Sequence, residues 1–192
     1  PLVFLPIIDE KGKPLNFVKT SIFKKDDVTY FCILREYSLA STFSKNPIKC
    51  EIAFDKKGYV YDILEDKEYG YTDKVDLILL PDSVKILSVI PYEVKEIKLN
   101  TDKKNYEKGD IVKCQIELDT KDKYKGAHVV KVEVFKPDGK KEEIYSKNIV
   151  LKENKGELII PLSLNEINGK WKIIAKDLTS GKKGMAEFSI SQ

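Results

Sequence analysis

The chain of 192 residues carries one histidine, one tryptophan, one methionine and three cysteines, and each scarcity closes off a class of chemistry. His128 has no second histidine, no two cysteines are spaced as CxxC, and no HExxH occurs, so no metal site of recognisable spacing is present. The same lone histidine, with no GxSxG elbow, leaves no nucleophilic triad. KKGMAEF lacks the glycine spacing of a phosphate loop, and no sequence signature asks for a cofactor. His128 comes just ahead of VVKVEV and reads as a residue at the start of a strand or on the surface. Cys32, Cys50 and Cys114 are too few and too scattered for a disulfide framework. They read as small core residues, with a Cys32–Cys50 bridge between adjacent strands as the alternative.

Arginine is nearly absent too. Arg35 is the only one; 34 basic and 31 acidic residues are interleaved and leave a net charge of +3. Nucleic-acid readout leans on arginine forks and a concentrated basic face, so no nucleic-acid partner is expected. The lysines fit a solvated surface and guarded strand edges. No apolar run approaches the roughly 20 residues that cross a bilayer, so membrane insertion is not expected. The sequence starts at proline and carries no signal peptide, a start that suggests an excised fragment or a processed product and leaves the location of the parent open.

What is present favours strands. Ten tyrosines, eight phenylalanines and frequent valine and isoleucine form short runs between Pro, Gly, Asn and Asp turns. Ile48, Cys50, Ile52 and Phe54 alternate with outward Lys49 and Glu51. Residues 55–58 and 80–83 read as turns, and residues 1–19 as an edge or bulged strand. Tyr59 and Tyr61 share one strand face opposite Val60. Further on, Pro137-Asp138-Gly139 is a turn, and Trp171, Ile173 and Ala175 share a core face. Ser163 and Glu166 have capping-box spacing, but Gly169 follows so soon that a single turn is expected there. The pattern predicts an all-β protein of two antiparallel β-sandwich modules in tandem. They occupy residues 1–94 and 95–192, and the second is immunoglobulin-like with about seven strands.

Two sets of side chains are candidates for function. Asp62, Glu65, Asp66, Glu68 and Asp73 crowd one hairpin. A glycosidase pair would need separations of about 5.5 Å or roughly 6.5–9.5 Å across a cleft. An oxygen-rich loop also suits calcium, but Lys67 and Lys74 interrupt this one, and solvation of a hairpin tip accounts for it. Tyr59, Tyr61, Tyr69 and Tyr71 are the candidates for contact with a sugar ring or for an interface between domains, and an exposed coplanar pair would mark the former.

Residues 57–94 resemble the small sandwich that follows the catalytic domain of large bacterial β-galactosidase-like and α-amylase-like glycoside hydrolases. Gly58, Val60, Tyr61, Asp62, Gly70, Pro81, Lys85, Ile86, Leu87, Pro91 and Tyr92 carry the resemblance, which implies a structural role for Arg35. Residues 97–192 resemble macroglobulin-like or immunoglobulin-like modules, through NYEKGDIVKCQIEL, VEVFKPDGK and GKWKIIAKDLTSGKKGMAEFSI. The resemblance implies a non-catalytic region whose partners are a catalytic domain of the same parent chain, polysaccharide, or a second copy. The catalytic carboxylates of such hydrolases lie in a barrel that these residues do not form. A free-standing surface adhesion or envelope module is the alternative.

Overall fold

The structure, a computed structural model, describes residues 7–15, 17–36, 46–121 and 128–191. All regular elements among them are strands, and the chain divides into two compact units, Pro1–Pro91 and Tyr92–Gln192.

In the first unit, β1 (Ile8–Asp9), β2 (Val18–Lys25), β3 (Val28–Arg35), β4 (Ile48–Asp62), β5 (Lys67–Leu79) and β6 (Val84–Ile90) make one antiparallel sheet. Its order is β1-β4-β6-β3-β2, with β5 on β4. The start of the strand expected in residues 1–19 lies outside the described residues. The turn expected at residues 55–58 is not one: β4 runs straight through it, and its register against β5 shifts between Ala53 and Gly58. The exposed charges Asp55, Lys56 and Lys57 ride on that bulge. Gly58 serves close packing instead of a reversal. A Cβ there would stand 2.7 Å from Val89 Cγ1 and 2.9 Å from the Ile90 carbonyl oxygen.

The bulge lets β4 change partners. Its first half pairs with β1 and β5, its second with β5 and β6. One continuous sheet thus folds over a core of Ile33, Ile52, Val60, Leu77, Leu79 and Leu87. The alternation in β4 places Cys50, Ile52 and Phe54 inside and Lys49 outside. Arg35 ends β3 almost wholly buried, and its Nη1 donates to the carbonyls of Leu79 (2.6 Å) and Asn46 (3.0 Å).

The second unit contains β7 (Val94–Thr101), β8 (Asn105–Glu107), β9 (Ile111–Thr120), β10 (Val129–Phe135), β11 (Lys141–Val150), β12 (Lys155–Pro161), β13 (Gly169–Asp177) and β14 (Lys183–Ser191). They form a five-stranded sheet, β11-β10-β13-β14-β8, and a three-stranded one, β12-β9-β7. This is an immunoglobulin-like sandwich with eight described strands where about seven were expected. The run over residues 97–106 breaks at Asp102, whose Oδ1 accepts the Lys113 amide (2.8 Å) and the Tyr106 hydroxyl (2.7 Å). The chain then enters the other sheet as β8, parallel to β14. Val132, Val134, Ile173, Trp171 and Phe188 face Val112, Ile116, Leu158 and Ile160 in the core, all of them buried. Ser163 and Glu166 form a turn and no helix, with Ser163 Oγ donating to Glu166 Oε1 (2.9 Å).

Candidate functional site

The four candidate tyrosines do not make one platform. Tyr59 and Tyr71 are cross-strand partners with ring centroids 5.1 Å apart, but the rings are tilted by 52°. Tyr71 is exposed and Tyr59 half-buried, so this pair lacks the coplanar geometry that a sugar face requires. Tyr61 is buried and donates its hydroxyl to Asp66. Burial, reinforced by that carboxylate, pushes its phenol far up. Tyr69 lies half-buried against the core of the first unit, at the register shift between β4 and β5. Burial, with the charges of Asp62 and Glu65, raises its phenol to about 12.

Tyr69 does line a cleft. A cavity of about 810 Å³ opens beside it, with Glu51, Glu65, Asp76, Lys49, Lys67 and Lys85 among its walls. The Lys67 ammonium sits 4.5 Å from the centroid of the Tyr69 ring. One face of that ring is therefore engaged, and the cleft offers hydrogen bonds more than open stacking. The lining combines carboxylates that accept with ammonium groups that donate, which suits a ligand rich in hydroxyls.

The acidic hairpin is also built into the fold. Asp62 is wholly buried at the end of β4, and its Oδ1 accepts the backbone amides of Leu64 and Glu65, each at 3.0 Å. Lys85 on β6 is buried beside it, with Nζ 3.4 Å from Asp62 Oδ2 and in contact with Glu65 Oε1. Among the described residues, no three His, Cys, Asp or Glu side chains gather as metal ligands.

Sequence reasoning missed a second buried cluster, in the other unit. His128 directly precedes β10, but it has no exposed surface, which overturns the surface placement. Its Nδ1 is 2.9 Å from Asp177 Oδ2, and its Nε2 is 2.7 Å from the Tyr92 hydroxyl. The Ser180 amide (2.9 Å) and hydroxyl (2.6 Å) donate to the same Asp177 oxygen. The only signal was Asp177 ahead of a Thr-Ser-Gly turn, which by itself says no more than an Asx-type turn. Cys32 and Cys50 are both free. The strand segments that carry them are not neighbours, since Cys32 pairs with Ser21 and Ile86, and Cys50 with Leu77 and Asp9.

The chain matches no family model and no curated protein. Among solved structures it is similar to a Salmonella alpha-2-macroglobulin mutant, at 11% identity and a TM-score of 0.39, over 91% of this chain and 16% of that one. It is similar to native E. coli alpha-2-macroglobulin at 11% identity and a TM-score of 0.36, over 85% of this chain and 18% of the other. A third likeness is to the Yersinia pseudotuberculosis adhesin InvE, at 11% identity and a TM-score of 0.40, over 91% of this chain and 59% of the adhesin. The chain thus spans under a fifth of the macroglobulins and about three fifths of the adhesin.

Proposed function

We propose that this chain is a non-catalytic accessory region of a larger exported, carbohydrate-active protein. It supports and positions a catalytic domain of the same parent chain, and it contacts polysaccharide through the cleft beside Tyr69. The observation that carries the reading is that cleft: a concave surface of ligand-sized volume on the first unit, lined by both acidic and lysine side chains. The resemblance of residues 57–94 to the sandwich that follows hydrolase catalytic domains supports the placement. His128 supports the non-catalytic part, because its ring has no exposed surface for a substrate to reach.

A glycan array followed by calorimetric titration tests the sugar contact. Binding is expected to weaken in Lys67→Ala and Asp76→Ala and to be unchanged in Tyr71→Ala. No binding to any glycan at high ligand concentration would remove polysaccharide contact from the reading.

A free-standing adhesion or envelope module is the second reading, favoured by one feature of the second unit. Ile111 and Ile159 are exposed on adjacent strands, and exposed Leu164 lies against Gly109, two residues before Ile111; exposed apolar side chains of this kind can mark interaction surfaces. Self-association visible in sedimentation velocity, and abolished by Ile159→Lys, would favour it.

A further inference from the structure

Asp62 and Lys85 make a poor ion pair. Both side chains are removed from solvent, at 0% and 6% exposure, yet Asp62 Oδ2 makes no hydrogen bond. The 3.4 Å approach of Lys85 Nζ is its nearest compensation. A buried carboxylate and ammonium recover their desolvation cost only when hydrogen bonds satisfy what remains of each, and that oxygen is left bare. The other oxygen is the opposite case, held by two backbone amides at 3.0 Å. Glu65 completes the group: its Oε1 touches the same Nζ, while its side chain is 53% exposed and lines the cleft with Lys85.

We infer that Lys85 and Asp62 are joined by an intramolecular isopeptide bond, with Glu65 as the proton carrier. The bond converts the Lys85 ammonium in the cleft wall to an amide and leaves Glu51, Lys49, Lys67 and Asp76 there unchanged. Reaction begins when a proton passes from the Lys85 ammonium through Glu65 to Asp62 Oδ2, leaving a neutral amine facing a neutral acid. The Nζ lone pair then attacks Cγ. Negative charge develops on Oδ1, where the amides of Leu64 and Glu65 already point, as donors do in an oxyanion hole. Glu65 takes a second proton from the nitrogen and delivers it to Oδ2, the Cγ–Oδ2 bond breaks, and water leaves through the cleft. The sum is one ammonium plus one carboxylate giving one amide plus one water, with no oxidant, cofactor or net proton required.

Each part of the geometry has a place in that step. The bare oxygen is the leaving group and the capped one becomes the amide carbonyl. Fixed proximity supplies the entropy that an intermolecular condensation would lack. The product removes two buried charges and ties the end of β4 to β6, where Asp62 already pairs with Leu87.

Intact-protein mass spectrometry of the full chain tests the inference. The expected mass is lower than the sequence mass by one water. Glu65→Gln and Lys85→Arg are expected at their full sequence masses, and Asp62→Asn at one ammonia below its own. Trypsin should leave residues 58–67 attached to residues 75–95, because it does not cleave after an acylated lysine. A wild-type chain at full sequence mass, with a linear peptide ending at Lys85, overturns the bond. Loss of water in Glu65→Gln overturns the role of Glu65.

Discussion

His128 Nδ1 stands 2.9 Å from Asp177 Oδ2, and neither side chain has any exposed surface. That oxygen also accepts both the amide and the hydroxyl of Ser180, so the carboxylate holds three donors on one atom. Since a carboxylate oxygen accepts, the ring donates from Nδ1, and Nε2 lies 2.7 Å from the Tyr92 hydroxyl. The chain positions 92, 128 and 177 are thereby linked ahead of β7, just ahead of β10 and at the end of β13. The imidazole itself has no exposed surface, and both its nitrogens are bonded inside the second unit.

The first prediction is that this network governs the stability of the second unit. Asp177→Ala strands the imidazole and both Ser180 donors in the interior, and breaking a buried pair in this way costs about 3–5 kcal/mol. Tyr92→Phe removes one hydrogen bond and should cost only about 1–2 kcal/mol. Urea unfolding midpoints separate the two. Equal small losses would mean that the network is not a stabilising unit.

Trp171 gives a second prediction. It is wholly buried, stacks on Phe188 with centroids 6.0 Å apart and planes 20° apart, and donates Nε1–H to the Ile167 carbonyl at 3.0 Å. Trp171→Ala should cost about 3–5 kcal/mol through the cavity and the lost contacts. Circular dichroism is the appropriate readout, since the substitution removes the only indole.

Gly58 shows which parts of the fold were legible in the sequence and which were not. Alternation identified the inward faces of Ile52 and Phe54, and of Trp171 and Ile173, because those strands each bury one face. Gly139 was legible as a turn glycine, and it has φ of 81°. Gly58 looked the same in sequence, yet it lies within β4 against Val89 and Ile90, a closeness set by a strand distant in sequence. The Tyr92–His128–Asp177 contacts were illegible for the same reason, as was the meeting of Lys85 with Asp62. Of the four candidate tyrosines only Tyr69 takes a place in the cleft, joined there by Glu65 of the acidic hairpin; spacing could not foresee that Tyr61 turns into a bond with Asp66. Gly58→Ala should accordingly destabilise the first unit by about 1–3 kcal/mol, the usual cost of overpacking, in a denaturant titration.

The thiols supply another prediction. Burial raises both Cys50 and Cys114 to about 11, with the Asp76 charge adding to the shift at Cys50. At pH 8 the thiolate, which is the reacting form, is scarce at both, and access is closed as well. Cys32 is partly exposed. Ellman's reagent should therefore titrate Cys32 first in the folded protein and reach the other two only on denaturation. Three thiols reacting at one rate without denaturant would contradict the buried placement.

Acid should weaken the protein through a defined set of carboxylates, and Asp102 is the clearest of them. The Tyr106 hydroxyl, followed by the Lys113 amide, holds its carboxyl below the ordinary value. A depressed folded-state pKa means that the unfolded chain binds the proton more readily. The stabilisation is therefore present above the ordinary carboxylate pKa of about 4 and is lost as pH falls through the lower folded value. Asp119, beside Lys98, and Glu142, beside Lys136, are shifted the same way and add to the slope with the same sign. Asp102→Asn keeps an acceptor oxygen where Tyr106 and Lys113 donate but removes the charge. Its deficit relative to wild type should be full at pH 7 and shrink steadily below pH 4, as the wild-type carboxyl takes up its proton. Urea midpoints for the two proteins across that range measure the difference, and a deficit independent of pH would show that the charge on Asp102 contributes nothing.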